Sequence, residues 1–246
     1  MFRYQILIEY VGTDFIGWQS QPVGKSVQKT IETSLKKILK ENIAVVGQGR
    51  LDAGVHAISQ SAHFDTKKKI INSNKFLNRL NFLLNKKFIS ILNIKKKNKK
   101  FHSRHSAKVR IYEYKIFNRD SVPTINKNRV WHVKKKIDLK NFKNGAKFLV
   151  GKKDFSTFRA SSCSAKSPIR TIEKININKK SNQISIEFRS RSFLQTQVRS
   201  MVGSLKYLGE GKWNLKKFKY VSLSKKRELC APPAPPHGLF LKKVIY

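Results

Sequence analysis

From Arg3 to Val11 the chain alternates, with Tyr4, Ile6, Ile8 and Tyr10 on one face and Arg3, Gln5 and Glu9 among those opposite. Period two predicts a strand with one face in a core. A glycine-punctuated loop follows, Gly12-Thr13-Asp14-Phe15-Ile16-Gly17-Trp18-Gln19-Ser20-Gln21-Pro22. The spacing then becomes helical: Val27, Ile31, Leu35, Ile38 and Leu39 form one stripe, and Ser26 is placed to cap it. The β-branched run Ile43-Ala44-Val45-Val46 and a run ending His63-Phe64-Asp65 read as strands around a tight loop. Phe76, Leu77, Leu80, Leu83 and Leu84 mark a second helix, and Phe88, Ile89, Ile91, Leu92 and Ile94 a further strand.

After a lysine-rich joint at Lys95–Lys100, the expected division between residues 1–103 and 104–246, the alphabet repeats. Lys108–Asn118 is a long strand. Asp138 caps a helix using Leu139, Phe142, Ala146 and Leu149, stopped at Gly151. Thr171–Asn178 and Gln183–Ser190 are strand runs, followed by a helix bearing Leu194, Val198, Met201, Val202, Leu205 and Leu208. Pro232-Pro233-Ala234-Pro235-Pro236 is a stiff loop, and Leu239–Ile245 closes as a strand. Antiparallel-looking strands with separate helices in both halves give an α+β class.

Charge changes the picture. The 246 residues carry 53 Lys+Arg against 14 Asp+Glu, a formal net charge of +39. A polyanionic partner follows, because each neutralised phosphate releases condensed counterions. No run approaches the ~18 apolar residues of a spanning helix, so nucleic acid is expected rather than a membrane. With only Cys163 and Cys230 there is no disulfide framework, and no signal segment opens the chain; the expected location is cytoplasmic.

Most chemical motifs are excluded. Gly47-Gln48-Gly49 lacks the further Gly and the Lys-Ser/Thr of a nucleotide cradle. His56, His63, His102 and His105 have no cysteine pair to complete a zinc site, and are expected to be polar, RNA-facing residues. Ser161-Ser162-Cys163-Ser164 reads as a polar loop. Asp52, between Gly49 and Gly54 with Arg50 two residues before it, reads equally as a turn or as a carboxylate held at a strand end. On the Lys108–Asn118 strand Arg110, Tyr112 and Tyr114 share a face, which suits either stacking on an extruded base or packing beneath a helix.

Gly49-Arg50-Leu51-Asp52-Ala53-Gly54-Val55-His56 resembles the signature loop of the tRNA pseudouridine synthase A family. Other segments match in the family's order. Tyr10-Val11-Gly12, Phe15, Gly17-Trp18-Gln19 and Gln21 resemble its opening loop, and Gln60 with Ala62–Asp65 the strand after the signature. Arg104, Ser106-Ala107, Arg110, Tyr112 and Tyr114 through Asn118 resemble its second motif. Asp154–Arg159 is a further match. Phe193, Arg199 and Met201–Leu205 resemble its third motif, and Ala234-Pro235-Pro236 with Gly238-Leu239 its closing segment.

The resemblance implies two similar α+β halves around a long antiparallel or mixed sheet flanked by helices, and a homodimer whose basic clefts hold tRNA. It implies conversion of uridine to pseudouridine at positions thirty-eight to forty of the anticodon stem-loop, without metal or organic cofactor. Carried onto this chain, it makes Asp52 the catalytic aspartate and places Tyr112 against the target base. It pairs Arg199 with Asp52 and sends Arg50 into the space the flipped nucleotide leaves. Phe158 and Arg159 are expected to contact RNA. One departure is Leu51, where the family has Thr; the alternative expectation is therefore a tRNA-binding protein of the same fold with an impaired site.

Overall fold

A computed structural model describes residues 1–246. In chain order the elements are β1 (Phe2–Tyr10), α1 (Val27–Leu39), β2 (Val45–Gly47), β3 (His56–Thr66), α2 (Ser73–Leu84), β4 (Ile89–Lys97), β5 (Val109–Asn118), β6 (Trp131–Val133), α3 (Leu139–Leu149), β7 (Gly151–Asp154), β8 (Ile169–Lys180), β9 (Gln183–Ser190), α4 (Gln197–Gly209), α5 (Leu215–Leu223) and β10 (Leu239–Ile245). The class is α+β. The chain forms two compact units, Met1–Lys108 with Phe240–Tyr246, and Val109–Leu239. A linear division near residue 103 does not contain the return of the last strand to the first unit, which is a product of pairing.

In the first unit β1 runs antiparallel between β4 and β3. On its other edge β3 takes β2 antiparallel, opposite Ala62–Phe64, and β10 parallel, opposite His56 and Ala57. Tyr4, Ile6, Ile8 and Tyr10 are all buried, as their alternation requires. Ser26 caps α1 by accepting from the Lys29 N–H at 3.2 Å, and Val27, Ile31, Leu35 and Leu39 are buried along it. The lysine-rich joint is less a linker than a strand end. Lys95–Lys97 finish β4, and the Arg3 guanidinium donates to the carbonyls of Lys99 (2.8 Å) and Phe101 (2.7 Å) while gripping Asp65 with two bonds.

In the second unit the order is β5-β9-β8-β7, all antiparallel, with β6 parallel on β5. α4 is buried on nearly every side, including Ser200, Gly203 and Ser204, whereas its pattern predicts a single apolar stripe. The reason is small residues: the Pro232 carbonyl sits against Gly203 where no Cβ would fit, and the Leu205 and Leu208 side chains press on Gly145 of α3. α4 also starts later than its periodicity suggests. Thr196 adopts φ 64°, and Gln197 folds back so that its Oε1 accepts from the Leu194 N–H at 2.8 Å. Leu194 and Phe193 therefore lie ahead of the helix, with Gln195 and Thr196 making the turn into it. The short β6 and β7 and the lysine-rich α5 carry too few periodic residues to be read from sequence.

Candidate active site

The Asp52 loop belongs to the first unit, and its shape is set by the opening loop. The Trp18 N–H donates to the Leu51 carbonyl at 3.1 Å, and the Gly54 N–H to the Phe15 carbonyl at 3.4 Å. Asp52 itself opens a turn: its carbonyl accepts from the Val55 N–H at 3.2 Å, with Gly54 at φ 76°. That left-handed angle is the conformational reason for a glycine there. The two loops also touch where side chains are missing. A Cβ on Gly17 would stand 2.6 Å from the Leu51 oxygen, and the Val55 carbonyl leaves no room for one on Gly12. Asp52 is half-buried and Arg50 exposed, so the loop presents one carboxylate and one guanidinium on a rigid support.

Upstream, Gln48 is buried and its N–H donates to the Ser61 carbonyl at 2.9 Å. Gln60 is also buried; its side-chain oxygen accepts from the Ser61 N–H and its amide donates to the Gly49 carbonyl at 3.4 Å. Leu51, at 7% exposure, is a core residue. Its place in the loop is thus anchored by burial as well as by backbone.

The histidines depart from expectation. His56 and His63 do not face solvent; they are 1% and 4% exposed. His56 Nδ1 accepts from the Gly12 N–H at 2.9 Å, and its ring stacks on Phe240 at 4.8 Å. His63 Nδ1 accepts from the Ser103 N–H at 3.2 Å, and burial chiefly pulls its pKa from 6.5 to about 4. Both lie on β3; Phe240 and the Gly12 backbone meet the first ring, and Phe101, His102 and Ser103 the second, neighbours that a lone polar residue in a sequence does not reveal. His105 is exposed and His102 half-buried.

The other expected site residues belong to the second unit. Tyr112 lies opposite Phe188 in the β5–β9 ladder, 8% exposed, its ring edge-to-face with Phe193 at 5.2 Å. Tyr114, two residues on, is fully buried. Its hydroxyl donates to the Pro235 carbonyl at 2.8 Å, and its ring lies against Gly238 and edge-on to Trp131. Burial holds its phenol well above the ordinary range, against the opposing charge of Arg199. Packing is thus the role of Tyr114, although both tyrosines are on the face suggested as a stacking platform.

Arg199, on the first turns of α4, donates from Nε to the Ala234 carbonyl at 2.8 Å, while the Ala234 N–H donates to the Arg199 carbonyl at 2.9 Å. This reciprocal pair ties the proline loop to α4 and fixes the base of the guanidinium. Its charge, after burial, also lowers the His237 pKa. Phe158 is 1% exposed and packs near Phe155, so its ring has no face open to RNA; it seats the short turn at Ser156–Phe158 before Arg159. Sequence reasoning did not anticipate the carbonyls of Leu51 and Ala234 as the anchoring points. Backbone acceptors leave no mark in residue identity.

The family model described as tRNA pseudouridine synthase matches residues 6–106 and 146–246. The first stretch contains Asp52, the second Arg199; Tyr112 lies between the two. Among curated proteins, the chain is 63% identical over 246 residues to a tRNA pseudouridine synthase A of Pelagibacter ubique, covering 100% of both. It is 41% identical to the protein of that name from Neorickettsia sennetsu, covering 99% of this chain and 100% of the relative. With that of Parvibaculum lavamentivorans the identity is 39%, over 100% of both chains. On the match to the family model and on full-length similarity, the chain belongs to the tRNA pseudouridine synthase family.

Proposed function

We propose that this protein isomerises uridine to pseudouridine in the anticodon stem-loop of tRNA, at positions thirty-eight to forty, with Asp52 as the nucleophile. Membership of the family supports the reaction and the substrate. The observation that carries the residue assignment is the braced turn at Asp52. Two backbone hydrogen bonds from the opening loop and two glycine contacts hold a half-buried carboxylate beside Arg50. Precise placement of this kind is what a displacement at a sugar carbon needs.

In the reaction the bond between uracil N1 and ribose C1′ breaks, the base turns, C5 bonds to C1′, the C5 proton is lost to solvent and N1 takes one up, so that atoms balance. Asp52 acts by attack on C1′ or by assisting a glycal, after the nucleotide has left the stack. Arg50, exposed on the same loop, is assigned to the space the nucleotide vacates. Tyr112 is assigned to the target base and Arg199 to an ion pair that keeps Asp52 ionised and oriented. Arg159 is assigned to the RNA backbone. The resemblance supports a homodimer, and two free cysteines suit a cytoplasmic location; no helix is long and apolar enough to cross a membrane.

The test is tritium release from tRNA labelled at uracil C5, since attachment at that carbon expels the label. Asp52→Asn should abolish release and leave tRNA affinity within about twofold. Tight binding by the native chain without any release would instead favour the impaired RNA-binding reading, and turnover by Asp52→Asn would remove Asp52 from the mechanism.

A further inference from the structure

We propose that His56 is a positioning residue for Asp52, acting as a buried hydrogen-bond acceptor that locks the turn between them. The inference rests on Asp52 being the reacting carboxylate. Four contacts carry it. The Asp52 carbonyl and Val55 N–H close the turn at 3.2 Å. The Val55 carbonyl lies directly against Gly12, with no space for a side chain. The N–H of that same Gly12 donates to His56 Nδ1 at 2.9 Å. The imidazole is in turn held flat on Phe240, with 26° between the ring planes and 4.8 Å between their centres.

These contacts form a closed circuit: Asp52 to Val55, Val55 to Gly12, Gly12 to His56, and His56 back to Val55 along the chain. A backbone N–H can only donate, so His56 Nδ1 must carry its lone pair and the ring must keep its proton on Nε2. At 1% exposure the acceptor lies out of reach of bulk water. Substituting a residue without an acceptor leaves the buried Gly12 N–H unpaired, and the opening loop can relieve this only by moving away from Val55. The end of the turn would then shift, and the carboxylate with it. The geometry thus assigns to His56 what its distance of four residues from Asp52 conceals.

Three full-length variants separate the acceptor from the ring. His56→Phe keeps an aromatic surface for Phe240 but has no acceptor. His56→Ala has neither. His56→Asn keeps an acceptor, since its Oδ1 is attached to Cγ as Nδ1 is. Single-turnover tritium release, tRNA affinity and thermal unfolding are measured on each, with Asp52→Asn in the same series. The expected result is release slowed about tenfold or more in His56→Phe and His56→Ala, with tRNA affinity within about twofold, and most of the rate restored in His56→Asn. A His56→Phe variant as fast as the native protein overturns the proposal. So does a folded His56→Asn variant whose release is about tenfold or more slower than that of the native protein, and this arm still decides if the other two variants fail to fold. Normal turnover by Asp52→Asn would sink the nucleophile assignment itself. An inactive Asp52→Asn beside an unaffected His56→Phe would sink only the role of His56.

Discussion

Gly17 holds its backbone at φ +116° directly under the Leu51 carbonyl, where an added Cβ would stand 2.6 Å from the oxygen. Two penalties therefore fall on Gly17→Ala: a left-handed angle that side chains resist, and a backbone clash on the residue before Asp52. We expect a loss of about 2 kcal/mol or more in urea unfolding, with a larger proportional loss of tritium release than of tRNA affinity. A fully active Gly17→Ala protein would mean that the opening loop does not brace the reactive turn.

Leu51→Thr introduces the residue expected at this position from the resemblance to the signature loop. Leu51 is buried, so exchanging it for a smaller, polar side chain should destabilise the protein by about 2 kcal/mol in urea titration. Turnover should change by no more than about fivefold, the equivalent of a single hydrogen bond. A much larger gain would identify Leu51 as a lesion in the native chain.

Arg199→Lys keeps a positive charge and removes the Nε donor to Ala234. The return bond from the Ala234 N–H to the Arg199 carbonyl remains, so stability should fall by only about 1 kcal/mol. If Arg199 orients Asp52, turnover should nevertheless fall about tenfold or more, because a lysine cannot reproduce the forked geometry. Comparing denaturation with single-turnover rates separates the two effects.

Tyr114 and Tyr112 should respond oppositely to loss of a hydroxyl. Tyr114→Phe breaks the 2.8 Å bond to Pro235 and should lower stability by about 1 kcal/mol while leaving the rate of isomerisation unchanged. Tyr112→Phe should slow isomerisation with little change in the melting temperature. The reverse pattern would exchange the roles of the two residues.

Acid should weaken the first unit through His63. Its folded pKa is about 4 and its ordinary value 6.5, so the unfolded chain takes up the proton first as pH falls. Its contribution to stability is complete above about pH 6.5 and declines until about pH 4, by about 3 kcal/mol. Below that window the loss passes to Asp65, whose carboxyl is held below its ordinary value of 3.8, chiefly by its hydrogen bond to Arg3. Urea titrations at about pH 7 and about pH 4.5 should therefore diverge, and His63→Asn should narrow the gap.

Local periodicity was enough for most of the elements. The alternation of β1 and the capped stripes of α1 and α3 are properties of neighbouring residues, so they can be read without knowing the fold. The Gly49–His56 loop was likewise legible, because several spaced segments match one family together. What the string of residues could not decide is who surrounds whom. Whether a histidine meets water or a second strand, whether Tyr114 stacks on a ligand or donates to Pro235, and whether the last strand stays with its chain neighbours all depend on pairings between residues far apart in sequence. The sequence by itself determined the chemistry available: one carboxylate between glycines, an arginine beside it, and an excess of positive charge for RNA. Only the tertiary structure decided how rigidly that carboxylate is held, since the supports are backbone carbonyls, missing Cβ atoms and one buried imidazole brought together by folding.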